Sequence, residues 1–291
     1  MQVRQNLFLL LLGNGAQNPT TKSDQTICLA PMIKKCEAIV LRSIDYRDES
    51  KILTLYTKEF GKLSAIAKGC RSMKSKYASA LELGSHISIV LYKKSTREVQ
   101  NISEASLKTP FLNITSSLER LGVMLQILEL TRLATEEEEA NPKIFHLLLE
   151  SLRQIDVARK NLRNIFFFFQ THFVALLGFK PSFEECVVSG KNIAAEWDTL
   201  RSKDLVLLPE RGGVALCKEA ERMGLSGKPI SAQAFRWIQF LSQTPLNSVE
   251  NLYLQASLYD EVAQMLDAYL SYHIEHLPPL RSREIFNELL R

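Results

Sequence analysis

The chain has 291 residues, 46% of them hydrophobic and 23% charged, with a formal net charge of +4. That is an ordinary soluble composition, with enough chain for about two domains and for a core that needs no disulfide staples. Five cysteines, an odd number without regular spacing, argue against a secreted disulfide framework and for a reducing cytoplasm.

Residues 1–31 open with LFLLLLG (Leu7–Gly13) after Arg4, followed by the polar stretch NGAQNPTTKSDQT. The apolar run is short and weakly flanked by basic charge, unlike a secretory signal, and the polar stretch is expected to be disordered. Met32 opens a more ordered pattern, so 1–31 is read as an extension outside the fold. The other very apolar run, Phe166–Gly178, is too short to span a bilayer and is interrupted by Gln170, Thr171 and His172. It predicts a buried helix, and no membrane partner is expected.

From Cys36 to Leu107 the hydrophobic period is two. EAIVLRSIDY, SKILTLYT and KLSAIAKG read as three strands, with Gly61 supplying the turn between the second and third. HISIVLYKKSTREVQNISEASL reads as a hairpin turning near Lys94–Thr96. Between strands three and four lies CRSMKSKYASALELG, too long and polar for a tight turn and expected to hold a short helix. Five strands with a helix between the third and fourth is the element order of an OB-fold barrel.

This segment also holds most of the positive charge. Residues 32–110 carry 15 Lys and Arg against eight Asp and Glu, a net +7. Asymmetry of this kind points to an anionic partner. Lys62, Lys68, Arg71, Lys74 and Lys76 crowd one short stretch beside Gly69 and several serines, a composition suited to phosphate oxygens. Arg42, Lys93 and Lys94 are candidates to extend the path. Tyr46, Tyr56, Phe60, Tyr77 and Tyr92 are candidate base platforms, although each taken singly is more often a core residue.

After Pro110 the period becomes helical. Ile114, Leu118, Leu121, Leu125 and Leu128 form one stripe. PKIFHLLLESLRQI and LRNIFFFFQTHFVALLG follow as a second and third helix, ended by Gly178 and Pro181. The acidic run Glu136–Glu139 between helices reads as a solvated loop or helix end. From Ser182 to about Gly227 periodicity dissolves. Helices resume at Ser231–Gln243 and at about Asn251–His276, where Leu258, Val262, Met265 and Tyr269 share a face. Ser282 is the expected N-cap of a last helix. The plan is α+β and multidomain: an N-terminal OB-fold β-barrel over 32–110, then an all-α domain over 111–291 with an irregular insertion at about 182–227.

No catalytic constellation stands out. The chain lacks a phosphate-cradling G-x-x-x-x-G-K-[ST], a G-x-G-x-x-G after a strand and a G-x-S-x-G elbow, so no enzyme activity is expected. His273 and His276, spaced i, i+3, would suit a metal with Cys186 and Cys217, but read more simply as histidines in the last turn of a helix.

Four stretches in order resemble the RecO family of bacterial DNA-repair proteins and recombination mediators. They are EAIVLRSIDYRDESKILTLYTKEFGKLSAIAKGCRSMKSKYASALELG, LLGFKPSFEECVVSG, GGVALC and YHIEHLPPLRSREIF, the last with Arg281 where the family pattern has Lys. The match covers about Lys34–Leu290. The resemblance implies an OB-fold that binds single- and double-stranded DNA and anneals complementary strands. It also implies two protein partners, RecR and the acidic tail of single-stranded-DNA-binding protein, and help in loading a RecA-type recombinase. The tail would need an apolar groove with a basic rim on the helical domain, for which Arg120, Arg132 and Arg153 are candidates. A protein of this kind is expected in the cytoplasm, at the nucleoid. From charge and pattern alone, an OB-fold RNA-binding protein without a recombination role, a metal-dependent nuclease and a protein scaffold remain rival readings.

Family members that carry zinc have two C-x-x-C pairs about thirty residues apart. This chain keeps Cys186 and Cys217 and has Ser189 and Ala220 at the second positions. Two thiolates are too few for a closed structural site. The insertion is therefore expected to be zinc-ribbon-like without a full ligand set, without zinc or any other cofactor, and packed around Val187, Val188, Val214 and Leu216.

Overall fold

The computed structural model describes residues 32–72, 78–94, 96–193, 200 and 204–289. Strands β1 (Met32–Tyr46), β2 (Ser50–Thr57), β3 (Gly61–Ala67), β4 (His86–Lys93) and β5 (Val99–Thr109) close into a barrel in the order β1-β2-β3-β5-β4. Neighbours are antiparallel except β3 and β5, which run parallel. Alternation sets the two faces. Val40, Leu53, Leu55, Leu63, Ala65 and Ile89 are among the residues that fill the interior. Where a helix is expected between β3 and β4, the described residues hold a 3-10 turn, Ala78–Leu81, and Ala80 and Leu81 join the barrel core. The hairpin turn is sewn by the buried Gln100, whose Nε2 donates to the carbonyls of Lys94 (3.1 Å) and Arg97 (2.7 Å).

Helices α1 (Leu118–Ala134), α2 (Pro142–Val157) and α3 (Arg163–Leu176) follow. Ser117 and Asn141 cap the first two through side-chain oxygens. Of the stripe expected on α1, Ile114, in a 3-10 turn before the helix, and Leu128 are buried, Leu121 and Leu125 pack half-buried against the core, and Leu118 is exposed; Val123, Ile127 and Leu130 are buried as well. Strand β1 and helices α2, α3 and α7 (Arg281–Leu289) all pack against α1, so it is apolar on more than one side and periodicity does not single out a face. The four consecutive phenylalanines of α3 are all buried for the same reason. Gly178 ends that helix region with φ +101°.

Helix α5 (Ala232–Gln243) lies where a helix is expected and is capped by Ser231. Helix α6 (Ala256–His273) is shorter than its pattern suggested, because Leu246–Asn251 form a separate 3-10 turn. His276 falls beyond the helix with φ +56°, so it does not share a helical turn with His273. Ser282 lies inside α7 rather than capping it, and its N–H and hydroxyl both donate to Glu129. None of the helices described is long and apolar enough to cross a membrane.

The C-terminal part is not all-α. Strands β6 (Leu205–Leu208), β7 (Gly213–Leu216) and β8 (Lys228–Ile230) form an antiparallel sheet in the order β7-β6-β8, and helix α4 (Cys217–Arg222) follows β7. Every residue of LVLL and GVAL in β6 and β7 is buried. A strand covered on both faces shows no alternation, which is why this insertion reads as patternless in the sequence. Val187 joins it through an N–H bond to the Val214 carbonyl, 3.0 Å.

Candidate nucleic-acid interface

The outward face of the barrel divides into two halves. At one end Ile39, Leu41 and Tyr56 turn outward into the helical core, so barrel and helices share apolar packing. At the other end the same strands meet solvent. Cross-strand pairing there produces two rows: Arg42, Thr54, Ser64, Val99, and beside it Ile44, Ile52, Ile66, Asn101. Arg42, Ile44 and Val99 are exposed and the other five half-buried. Beyond the isoleucine row Tyr46 stands opposite Ser50, 36% exposed, with the Arg47 guanidinium 5.2 Å from its ring centre. A strip of three isoleucines between cations and an exposed aromatic can take sugar and base faces while Arg42 and Arg47 meet phosphates.

The expected site residues distribute unevenly over this surface. Arg42 is on the open half. Lys68 follows β3 and is exposed. Arg71 holds the β1–β2 turn: its Nη1 donates to the Arg47 carbonyl at 3.3 Å, and its Nη2 lies 3.3 Å from Asp45 Oδ2. Two of its donors are thus engaged, and it sets the position of Tyr46 and Arg47 as much as it offers charge. Lys74, Lys76 and Tyr77 lie outside the described residues. Arg47 was not singled out in the sequence. Its position next to Tyr46 in a tight turn, at φ +53°, was the available signal.

Lys62 differs from expectation. Its side chain is 13% exposed and its Nζ donates to the carbonyls of Arg132 (3.0 Å) and Thr135, at the end of α1. It cannot reach a phosphate while bonded there. The acidic run explains the rest. Glu137 pairs with Lys62 at 3.7 Å, Glu138 pairs with Lys93 at 2.7 Å, and the Glu138 N–H bonds the Lys62 carbonyl at 2.8 Å. Glu136–Glu139 is an exposed loop, as expected, and it lies against the start of β3 through these contacts. A Cβ on Gly61 would sit 2.0 Å from the Glu139 carbonyl oxygen, so the close approach needs glycine as much as its φ of +69° does. Lys93 also packs over Phe60, and Lys94 sits half-exposed in the hairpin turn. Tyr56 is fully buried and is no platform, whereas Tyr92 is exposed.

The three arginines considered for a partner tail are separated in role. Arg120 is occupied, donating to the carbonyls of Ile155, Asp156 (3.1 Å) and Ala158 (2.6 Å) at the C-terminus of α2. This is a helix-end cap, and it removes Arg120 from the candidates. Arg153 pairs with Glu150 on the surface, and Arg132 is half-buried.

At the cysteine positions, the Cys186 thiol donates to Glu219 Oε2 at 3.1 Å and accepts the Leu216 N–H at 3.4 Å. Lys191 Nζ is 2.8 Å from Glu219 Oε1. Hydrogen bonds from Lys191 and then Ser189 hold the Glu219 carboxyl well below its usual range. Burial, with Glu221 and Asp204 nearby, pushes the Cys217 thiol up, so it favours the protonated form. Ala220 contributes a buried methyl group. Two thiols, one of them already bonded to a carboxylate, with a hydroxyl and a methyl do not make the four-ligand set of a closed zinc site. Among the described residues no cluster of three or more His, Cys, Asp or Glu could hold a metal ion.

A closed basic barrel with a half-open outer face, joined through a common core to a mostly helical body, defines a two-part α+β protein. Residues 32–111 match the family described as Recombination protein O N terminal, and 115–284 match Recombination protein O C terminal. The chain is 49% identical over 259 residues to the DNA repair protein RecO of Chloroherpeton thalassium, across 89% of this chain and 100% of that relative. It is 36% and 35% identical, over 259 residues, to the proteins of that name from Chlorobium limicola and Chlorobium phaeobacteroides (strain DSM 266), across 89% of this chain and 99% of each. The chain belongs to the RecO family of DNA repair proteins, and its role lies in DNA repair and recombination.

Proposed function

We propose that the barrel is an OB-fold module that binds single- and double-stranded DNA and anneals complementary strands. We further propose that the chain, with RecR, helps a RecA-type recombinase onto DNA coated with single-stranded-DNA-binding protein. The observation that carries this reading is the open half-face, where Arg42, Tyr46 and Arg47 frame the isoleucine row on a segment of net charge +7. Annealing needs no covalent step. Two phosphate backbones held against one cationic surface repel each other less, so bases can pair. Arg42, Arg47, Lys68 and the remaining donors of Arg71 supply that charge in this reading, with Lys74 and Lys76 extending it. Lys94 extends the path from the hairpin turn, and Lys93 joins it only if Glu138 releases its ammonium. The acidic tail of the coating protein would meet Arg132 or Arg153, since Arg120 is engaged.

The experiment is annealing of complementary strands coated with the cognate single-stranded-DNA-binding protein, with and without RecR, by the wild type and by Arg42→Glu/Arg47→Glu. Faster annealing by the wild type and its loss in the variant support the reading. An unaffected variant, or tighter binding to RNA than to DNA of the same sequence, overturns it.

A further inference from the structure

The zinc-type positions of this chain converge on one carboxylate. Glu219 lies in the first turn of α4, between Cys217 and Ala220, and only 12% of its side chain is exposed. Its Oε1 faces Lys191 Nζ at 2.8 Å and its Oε2 accepts the Cys186 thiol at 3.1 Å, while Ser189 nearby also favours its charged form. Cys186, Ser189 and Lys191 share one tight loop. The Gly190 N–H bonds the Cys186 carbonyl and the Cys186 N–H bonds the Lys191 carbonyl, both at 2.8 Å, and Gly190 takes φ +71°. That loop is the shape of a metal knuckle, with its two ligand-type positions, Cys186 and Ser189, facing the same group.

We propose that the Glu219 carboxylate does here what a metal ion does in a four-cysteine ribbon: it ties the loop Cys186–Lys191 to the start of α4. The chemistry is complementary to that of zinc. A metal needs four electron-pair donors around a cation. Here two hydrogen-bond or charge donors, the Cys186 thiol and the Lys191 ammonium, with the Ser189 hydroxyl nearby, flank an anion. The sign of the centre is inverted while the topology of the link is kept. A carboxylate with charged and neutral donors in a mostly buried place is a strong link, because removing it strands the thiol and takes away the carboxylate that faces the ammonium. The loop also carries Val187 against Val214, so the link sets how the loop packs on β7.

The test uses the full chain, purified without metal resin. Metal content is measured by mass spectrometry, unfolding is followed with and without chelator, and amide exchange is read at Cys186 and Gly190. Wild type is expected to hold far less than one equivalent of zinc and to unfold at the same temperature in chelator. Glu219→Ala is expected to speed exchange at those two amides by about tenfold or more, a local opening in the sense of independently unfolding segments. Its Tm is expected to fall by ~3 °C. Lys191→Met should show a smaller effect, and the double variant should be no worse than Glu219→Ala. If Glu219→Ala does not fold, Lys191→Met with the exchange readout decides alone. One equivalent of zinc with a chelator-sensitive Tm overturns the proposal. So does unchanged exchange in both variants.

Discussion

Lys62 Nζ lies 3.0 Å from the carbonyl oxygen of Arg132, so a barrel lysine caps the C-terminus of the first helix. The last carbonyls of a helix have no partner within it, and a cation there also suits the helix dipole. Lys62→Met leaves those carbonyls half-buried and unbonded, at a cost of about 1–3 kcal/mol. Denaturant unfolding should show that loss, while DNA affinity at a temperature where the variant stays folded should change less than in Arg42→Ala. A variant of wild-type stability and weakened DNA binding would place Lys62 back among the phosphate-binding residues.

The open half-face makes a salt prediction. Removing one cation that neutralises a phosphate lowers the slope of log affinity against log salt by about 0.7 for single strands and about 0.9 for duplex. Arg42→Gln/Arg47→Gln should flatten the slope by one to two such steps in a fluorescence anisotropy titration. Lys143→Gln, on the exposed start of α2, should leave it as it was.

Tyr46 is the exposed aromatic beside the isoleucine row. Tyr46→Ala should weaken single-strand binding by ~1–3 kcal/mol, the range for one base stacked on an aromatic ring, and duplex binding by less because paired bases present no free face. Equal weakening on both substrates would mean that Tyr46 supports the turn instead of meeting a base.

Acid sensitivity should centre on Glu37. Lys108 hydrogen-bonds and pairs with it, holding its carboxyl below the usual 4.5, while burial lowers His86 below 6.5 despite Glu37 Oε2 at 3.5 Å. Both shifts have the same consequence. The folded state binds fewer protons than the unfolded chain, so stability rises with pH. The His86 contribution is complete above 6.5 and fades as pH falls toward its lowered value. The Glu37 contribution is complete above 4.5 and fades below it. Tm measured from pH 7 to 3.5 should decline in that order, and Glu37→Gln should lower Tm at neutral pH and soften the limb below 4.5. An identical acid limb in Glu37→Gln would show that other carboxylates set the acid sensitivity.

Much of the fold was legible because it depends on local patterns. Period two marked the barrel strands, Ser231 marked a helix start, and Gly61 and Gly178 marked turns that require positive φ. Arg42, read as an extension of a phosphate path, is exposed on the barrel. What was missed depends on partners far away in the chain. Lys62 reads as one more lysine of a basic cluster until the carbonyl of Thr135, 73 residues later, accepts its hydrogen bond. The acidic run is exposed as it reads, but nothing in it names Lys62 and Lys93 as the partners of Glu137 and Glu138. Arg120 reads as a free surface cation until the carbonyl end of α2 meets it.

By itself the sequence determined the order and type of most elements, the basic character of the barrel, and its kinship with RecO proteins, since periodicity, turn chemistry, charge and motif order are properties of neighbours along the chain. The tertiary structure alone decided which charges are available. Packing α1 and the acidic loop against β3 engages Lys62 and Lys93 and leaves Arg42 and Arg47 on the open half. It also turned β6 and β7 into strands buried on both sides, and it placed the Glu219 carboxylate where four cysteines would gather a metal. In each case the reason is the same: a charge or an apolar run acquires its role from what is brought within a few ångströms of it by folding, and sequence separation carries no record of that distance.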